Sequence, residues 1–379
     1  MSNQDVLQRS EFQQSTLGVH IYKKGITFCM HPAHQDVSFT YTLFKPGVFS
    51  KSQILQELKD FHVLLTNYLP HIKILATTIS FPGPIDNDTV IIPNWWSTGD
   101  NRFSRSDFQG LCFTEDSQVS FINEIQALGH GLISTDEFFG LEDDFAPLWK
   151  PPALDVMPTL YPLYFSSEAA AVLQVSFGLG AAFIVPIDSS DSYRVIASEW
   201  GHSLVQLCGP DEPGYDDELQ LTRFIASKKG ASVEWEDICS ARGLENCYAY
   251  ETREQPVEGS AIDMIERDPN DSYAAKALAT HFKFLMRFAR MCAISFTCKS
   301  VFMTYSVFSG GTHCLQKHIA TCRDEFMHFT KSEWVSGVSV FVQTSDKNIS
   351  ALGVMYHAFL GLARSESDER ILREEENEA

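Results

Sequence analysis

Basic residues are scarce in this sequence. It carries 29 Lys and Arg against 49 Asp and Glu in 379 residues, a formal net charge of −20. Nucleic acids and anionic membranes are bound through a basic face, so this balance excludes both as partners. Long apolar runs are missing too. The most apolar stretch, Ala169 to Val185, is interrupted by Gln174, Ser176, Gly178 and Gly180 and stops at Pro186. It reads as two short buried strands around a glycine turn, not as a membrane span. The start, Met1 to Thr16, holds Asp5, Arg9 and Glu11 and lacks the basic-then-apolar order of a signal peptide. The nine cysteines form no C-x-x-C pair. The expectation is a reducing, cytoplasmic compartment, buried free thiols and no metal site built from cysteine.

What is present is the composition of a globular protein. Hydrophobic residues make up 44% and charged residues 21%, too apolar for a disordered chain. The length suggests two lobes. Thr16 to Cys29, interrupted by Lys23, Lys24 and Gly25, reads as two strands and a turn. Ile54, Leu55, Leu58, Phe61, Leu64 and Leu65 recur at helical spacing and predict a helix from Lys51 to Tyr68. Strands are expected at His71 to Phe81 and Val119 to Ile122, with a helix starting at Asn123. Residues 138–165 are rich in Pro, Asp and Glu without periodicity and read as an irregular excursion.

Beyond it, strands are expected at Arg194 to Ser198, Val301 to Phe308 and Val338 to Gln343, and helices at Asp217 to Lys229, Ser272 to Phe296 and Ser350 to Leu362. In the second of these helices Leu278, Phe282, Leu285, Ala289, Cys292 and Phe296 form one apolar stripe, read as core. Strands alternating with helices in both halves imply two α/β lobes with a cleft between them. The expected divisions are a polar extension 1–16, a small lobe 17–137, the excursion 138–165, a large lobe 166–364 and an acidic tail 365–379. That tail, Ser365 to Ala379, holds seven acids and two arginines and reads as a solvated extension.

Four short segments carry chemistry. They are Ser80-Phe81-Pro82-Gly83-Pro84 with the following Ile92-Pro93-Asn94-Trp95-Trp96; Phe121-Ile122-Asn123-Glu124; Ser198-Glu199-Trp200-Gly201-His202; and Glu236 to Tyr248. Carboxylates, amides and a histidine beside glycines offer the paired hydrogen bonds that vicinal hydroxyls need. Taken alone, each segment is better read as turn and cap chemistry.

In this order and spacing the four segments resemble the bacterial-type glucokinase family, in the hexokinase branch of the actin-like sugar-kinase superfamily. The resemblance runs from about Leu17 to Leu362. Glu236 to Tyr248 is similar to the family's E-R-V-L-S-G-P-G-L-x-N-x-Y stretch. Glu199 and His202 stand where the family has E-G-G-H, Asn94 where it has T-N-x-x-W, and Asn123 opens its N-D pair. Arg287-Phe288 and the ending Ala351-Leu352-Gly353 also match. The resemblance implies two ribonuclease-H-like α/β lobes of the actin-like ATPase type. It implies glucose or a similar hexose against Asn94, Asn123, Glu199, His202 and Glu236, with ATP and Mg2+ as the phosphoryl donor system and a carboxylate base on the sugar hydroxyl.

The sequence departs from the family at four places. The base position holds Glu124 instead of Asp; its extra methylene shifts the oxygens by about 1 Å, and such a misplacement can cost about 100-fold. The D-x-G-G-T loop becomes Val19-His20-Ile21-Tyr22-Lys23-Lys24, with Val19 at the Asp position and no glycine pair. Lys23 and Lys24 bring charge there but read as solvated turn residues. G-T-G-L-G becomes Ser176-Phe177-Gly178-Leu179-Gly180, in which Gly178 and Gly180 keep the turn and Phe177 replaces a hydroxyl. The adenosine-side glycine pair falls on Gly310-Gly311, or on Tyr305-Ser306 if no insertion is allowed.

The sugar side therefore reads as intact and the phosphate side as damaged. The expected function is a glucokinase-like protein that binds glucose with weak or absent ATP-dependent phosphoryl transfer, a pseudoenzyme with a binding or assembly role. Two alternatives stand beside it. One is an active glucokinase with Glu124 as base and Lys23 or Lys24 toward phosphate. The other is a structural subunit of a large assembly, such as a cytoskeletal one, with a protein partner and no ligand.

Overall fold

The structure is a computed structural model and describes residues 10–22, 24–33, 41–47, 50–86, 89–92, 101–114, 118–149, 164–187, 192–254, 260–267, 271–308 and 313–378. The chain divides into two compact units, 1–140 with 347–379, and 141–346.

The first unit is built on strands β1 (Gln14–Tyr22), β2 (Gly25–Pro32), β3 (Tyr41–Pro46), β4 (Lys73–Phe81), β5 (Ile85–Asp86), β6 (Thr89–Ile91), β7 (Arg102–Ser104) and β8 (Gln118–Asn123). Its main sheet has the order β3-β2-β1-β4-β8. The β1–β2 and β2–β3 pairs are antiparallel, and β1–β4 and β4–β8 are parallel. A parallel pair needs a crossover, and the Lys51–Tyr68 helix supplies the one from β3 to β4. Ser50 caps it by accepting the Gln53 N–H, and Ile54, Leu58, Phe61 and Leu65 are buried, which is the apolar face expected from the spacing.

The second unit holds β9 (Phe145–Pro147), β10 (Ala170–Val175), β11 (Leu179–Ile187), β12 (Ser192–Ser198), β13 (Ser300–Tyr305) and β14 (Ser339–Gln343), in the order β12-β11-β10-β13-β14-β9. Antiparallel β10–β11 and β11–β12 are followed by parallel β10–β13 and β13–β14. The first five strands repeat the pattern of the first sheet, so both units are ribonuclease-H-like α/β folds. In the Ser272–Ser295 helix, Leu278, Phe282, Leu285, Ala289 and Cys292 are fully buried, and Asp271 caps its start by accepting the N–H groups of Tyr273 and Ala274.

Two segments differ from expectation. Phe145–Pro147, inside the stretch read as irregular, pairs antiparallel with β14. Three residues are too few to show alternation; the open edge of β14 supplies the order. The final helix runs from Ile349 to Glu378 and takes in the acidic tail, whose Glu, Arg and Leu are good helix formers uninterrupted by Gly or Pro. This helix packs within the first unit, on β1 and on the Glu124–Phe138 helix. Close approach demands glycine here: a Cβ on Gly18 would lie 2.4 Å from the Met355 nitrogen, and one on Gly353 only 1.8 Å from the Ala127 oxygen. Among the described residues no helix is long and apolar enough to cross a membrane.

Candidate functional site

In the first unit β1 and β2 stay paired down to Tyr22 and Gly25, which leaves a two-residue turn. Lys24 is exposed in it, and Lys23 lies outside the described residues. Val19 and Ile21 are fully buried in the core of this unit. His20 is buried, with Nδ1 2.8 Å from Ser80 Oγ and its ring stacked on Tyr22. Burial pushes its imidazole down to about 3, so it is neutral at physiological pH. The stretch that corresponds to the D-x-G-G-T loop is thus a regular hairpin with apolar side chains facing inward.

Asn123 ends β8. Its Oδ1 accepts the Ile125 N–H at 2.8 Å and its Nδ2 donates to the Gly83 carbonyl at 2.9 Å. The amide therefore caps the following helix and ties it to the Pro82-Gly83-Pro84 turn. Glu124 occupies the first turn of that helix. Burial, and after it the charge of Glu124, raise the Tyr22 phenol above its ordinary value against hydrogen bonds to Thr27 and Asn348. Tyr22 of the hairpin and the base candidate are therefore electrostatic neighbours. Asn94 lies outside the described residues; the residues flanking its loop, Ile92 and Asn101, are joined by two hydrogen bonds of 3.0 and 2.8 Å.

In the second unit the turn 176–178 joins β10 to β11, with the Ser176 N–H donating to the Gly178 carbonyl and Gly180 paired with Gln174. Glu236 begins the short Glu236–Cys239 helix and is 8% exposed. Its Oε2 accepts the Leu179 N–H at 3.0 Å, and its Oε1 lies 2.6 Å from Arg242 Nη2. A Cβ on Gly178 would fall 2.8 Å from Oε2. Glycine is therefore required at 178 by the carboxylate packed over it. The Ser198-Glu199-Trp200-Gly201-His202 turn rests on the same place, since a Cβ on Gly201 would lie 2.1 Å from the Leu179 oxygen.

Burial, reinforced by the charge of Glu236 and opposed by His202, raises the Glu199 carboxyl. Burial alone would lower His202. Its hydrogen bond to Glu234 at 3.0 Å, with the charges of Glu236, Glu234 and Glu199, outweighs this and holds the imidazole above its ordinary value. Ser240 orders the next step of chain: its hydroxyl donates to the Glu236 carbonyl at 2.7 Å and accepts the Gly243 N–H at 3.1 Å. The Ala241 N–H donates to the Ser176 carbonyl at 2.8 Å. This stitches the start of the Ala241–Thr252 helix to the glycine turn and sets Arg242 over the Phe177 ring at 4.7 Å.

Glu199, His202, Glu236, Gly178 and Gly180 thus converge within one unit, and Asn123 with Glu124 lies in the other. Gly310 and Gly311 lie outside the described residues. The alternative register, Tyr305-Ser306, is occupied by structural bonds: the Tyr305 hydroxyl meets His281 Nε2 at 3.1 Å and the Ser306 N–H donates to the Val175 carbonyl. Two residues were not singled out from the sequence, Glu234 and Arg242. Nothing in the pattern marks Glu234. Arg242 stands at the family's proline in S-G-P-G-L, next in space to the family's threonine position, now Phe177; two coupled departures were its only signal.

Paired ribonuclease-H-like units with acidic and amide groups at their strand ends define an actin-like sugar-kinase class of protein. The comparisons narrow this. A family profile described as Glucokinase matches residues 51–304, two thirds of the chain, and the chain belongs to the glucokinase family. Glucokinase 1 of Trichomonas vaginalis is 28% identical over 355 residues, covering 90% of this chain and 92% of that protein. The crystal structure of glucokinase from Balamuthia mandrillaris in complex with glucose has a TM-score of 0.79 at 23% identity, covering 94% of this chain and 98% of that one. A ROK hexokinase from Thermus thermophilus has a TM-score of 0.60 at 13% identity, covering 92% and 99%.

Proposed function

We propose that this protein binds glucose or a closely related hexose, and that its ATP-dependent phosphoryl transfer is slow compared with relatives that carry the D-x-G-G-T loop. The sugar contacts that the family resemblance implies are Asn94, Asn123, Glu199, His202 and Glu236. The observation that carries the reading is the convergence of Glu199, His202 and Glu236 on the Leu179 turn, where two carboxylates and an imidazole stand within electrostatic reach. Such a cluster suits the paired hydrogen bonds of vicinal hydroxyls.

Slow turnover is supported by the hairpin. Val19 offers no oxygen to a cation and is fully buried, and the Leu179 N–H at the second turn is already engaged by Glu236. These residues do not fit the phosphate- and metal-holding role that family membership implies, so no step is drawn through a metal or nucleotide. Calorimetry with glucose and with ATP–Mg2+, run separately, tests the reading. Heat with glucose is expected; its absence refutes the sugar site. A coupled assay giving about 1–100 s⁻¹, the ordinary kinase range, refutes slow turnover.

A second reading, a fully active glucokinase with Glu124 as base, is favoured by the placement of that carboxylate in the first helical turn after Asn123. The same assay on Glu124→Gln decides it: an unchanged rate removes Glu124 from the chemistry.

A further inference from the structure

Phe177 reads in the sequence as damage to a phosphate turn. The structure gives it a different neighbour. Its ring carries the Arg242 guanidinium at 4.7 Å, and that guanidinium meets Glu236 Oε1 at 2.6 Å. Stacking on a ring face fixes the plane of a guanidinium while leaving its edge donors unused. The Arg242 side chain is 37% exposed and the Glu236 side chain 10%. Among the described residues, Glu236 is the one hydrogen-bond partner of the Arg242 side chain. Three fixed groups therefore define the Glu236 carboxylate: the guanidinium on Oε1, the Leu179 N–H on Oε2, and Gly178, whose missing side chain makes room for Oε2. A carboxylate has about four acceptor positions. Two are used here, and the remaining ones suit hydroxyls that donate.

We propose that Arg242, held over the Phe177 ring, is a positioning residue for Glu236 and sets the affinity and hydroxyl selectivity of the hexose contact. The substitution at 177 then belongs to the sugar side of the protein. The inference rests on the reading of Glu236 as a sugar contact. It makes a prediction opposite to that of simple damage. Phe177→Thr restores the family's residue, yet it should weaken glucose binding and should not raise turnover.

The test is calorimetric glucose affinity of the full chain, with thermal unfolding to confirm folding. Arg242→Ala is expected to weaken glucose about 10-fold or more, the effect of losing one charge-assisted hydrogen bond. Arg242→Lys should recover part of this, because it restores charge without the fork. Phe177→Thr should weaken glucose about 2- to 5-fold, the size of a partly exposed cation–π contact. The double variant should be no weaker than Arg242→Ala alone, since the ring acts only through the arginine. Full additivity, or Phe177→Thr with unchanged affinity and faster turnover, overturns the inference. Glucose affinity unchanged in Glu236→Gln overturns the sugar reading instead. Loss in Glu236→Gln with no effect at 177 or 242 overturns the positioning inference alone.

Discussion

Adding one methyl group to the glycine turn tests the site most directly. In Gly178→Ala the new Cβ would stand 2.8 Å from Glu236 Oε2, and ordinary contact begins at 3.4 Å. The carboxylate has to give by about 0.6 Å. It is not a loose chain end, because Leu179 N–H holds Oε2 at 3.0 Å and Arg242 holds Oε1 at 2.6 Å. Retreat along the Cβ–Oε2 line lengthens the first bond by at most about 0.6 Å, to a limit of about 3.6 Å that lies beyond hydrogen-bonding distance. Losing a hydrogen bond to a charged group costs about 1.5–3 kcal/mol. For a unit of this size that lowers the unfolding midpoint by about 2–4 °C per kcal/mol. If Glu236 is a sugar contact, glucose affinity falls with it, by about 10-fold or more. Gly361→Ala is the control, since a Cβ there meets nothing within 4 Å. Calorimetry and thermal scans read both quantities. Unchanged values in Gly178→Ala would refute the clamp, and a lowered midpoint with unchanged affinity would remove Glu236 from the sugar contacts.

Acid stability is expected to depend on Glu218. Burial would raise this carboxyl, but Arg287, Lys283 and the Cys208 N–H hold it down to about 2. A depressed carboxyl stabilises the fold above its ordinary value near 4.5 and loses that contribution as pH falls toward 2, about 3 kcal/mol in all. Denaturant melts of Glu218→Gln should therefore show a flatter acid limb across this window. Glu124→Gln should abolish whatever phosphoryl transfer the protein has while leaving calorimetric glucose binding within about 3-fold, because a base acts in the transition state. Thiol titration of the native protein at pH 8 should modify at most Cys112, Cys208 and Cys314. The other six cysteines are buried, and burial pushes Cys298 and Cys322 up to about 12. Rapid labelling of all nine would contradict the core described above. Asn123→Ala removes a helix cap and should lower stability by about 1 kcal/mol, read from the denaturant midpoint.

Local features were legible in the sequence because local rules decide them. The Lys51–Tyr68 helix was readable from apolar residues at helical spacing, four of which are buried. The β1–β2 hairpin and the glycine turn between β10 and β11 were readable from apolar runs broken by turn residues. Asn123 was readable both as a cap and as a ligand, and its amide is seen making the cap bonds. What could not be read comes from contacts between distant segments. Phe145–Pro147 is a strand only because β14 has a free edge. The docking of the last helix depends on backbone contacts at Gly18 of β1 and, against the Glu124–Phe138 helix, at Gly131 and Gly353, which leave no periodic trace. The meeting of Phe177, Arg242 and Glu236 is held by bonds between distant segments, from Ala241 to Ser176 and from Leu179 to Glu236.

The departures from the family differ in physical kind, and the difference bears on function. Val19 is absorbed by packing: it is fully buried in β1 among the apolar residues of the first unit. Restoring an aspartate there would bury a charge, which costs several kcal/mol unless a partner or a metal is supplied with it. Single reversion at 19 is therefore expected to destabilise the first unit before it restores any chemistry. Phe177 is different, since its ring is engaged by a guanidinium that itself departs from the family. A side chain that had merely lost its role would need no such companion. The two positions thus differ: Val19 is packed into the core, and Phe177 contacts the arginine that holds Glu236. On the proposed reading, hexose binding draws on the Glu236 turn and not on the β1–β2 hairpin.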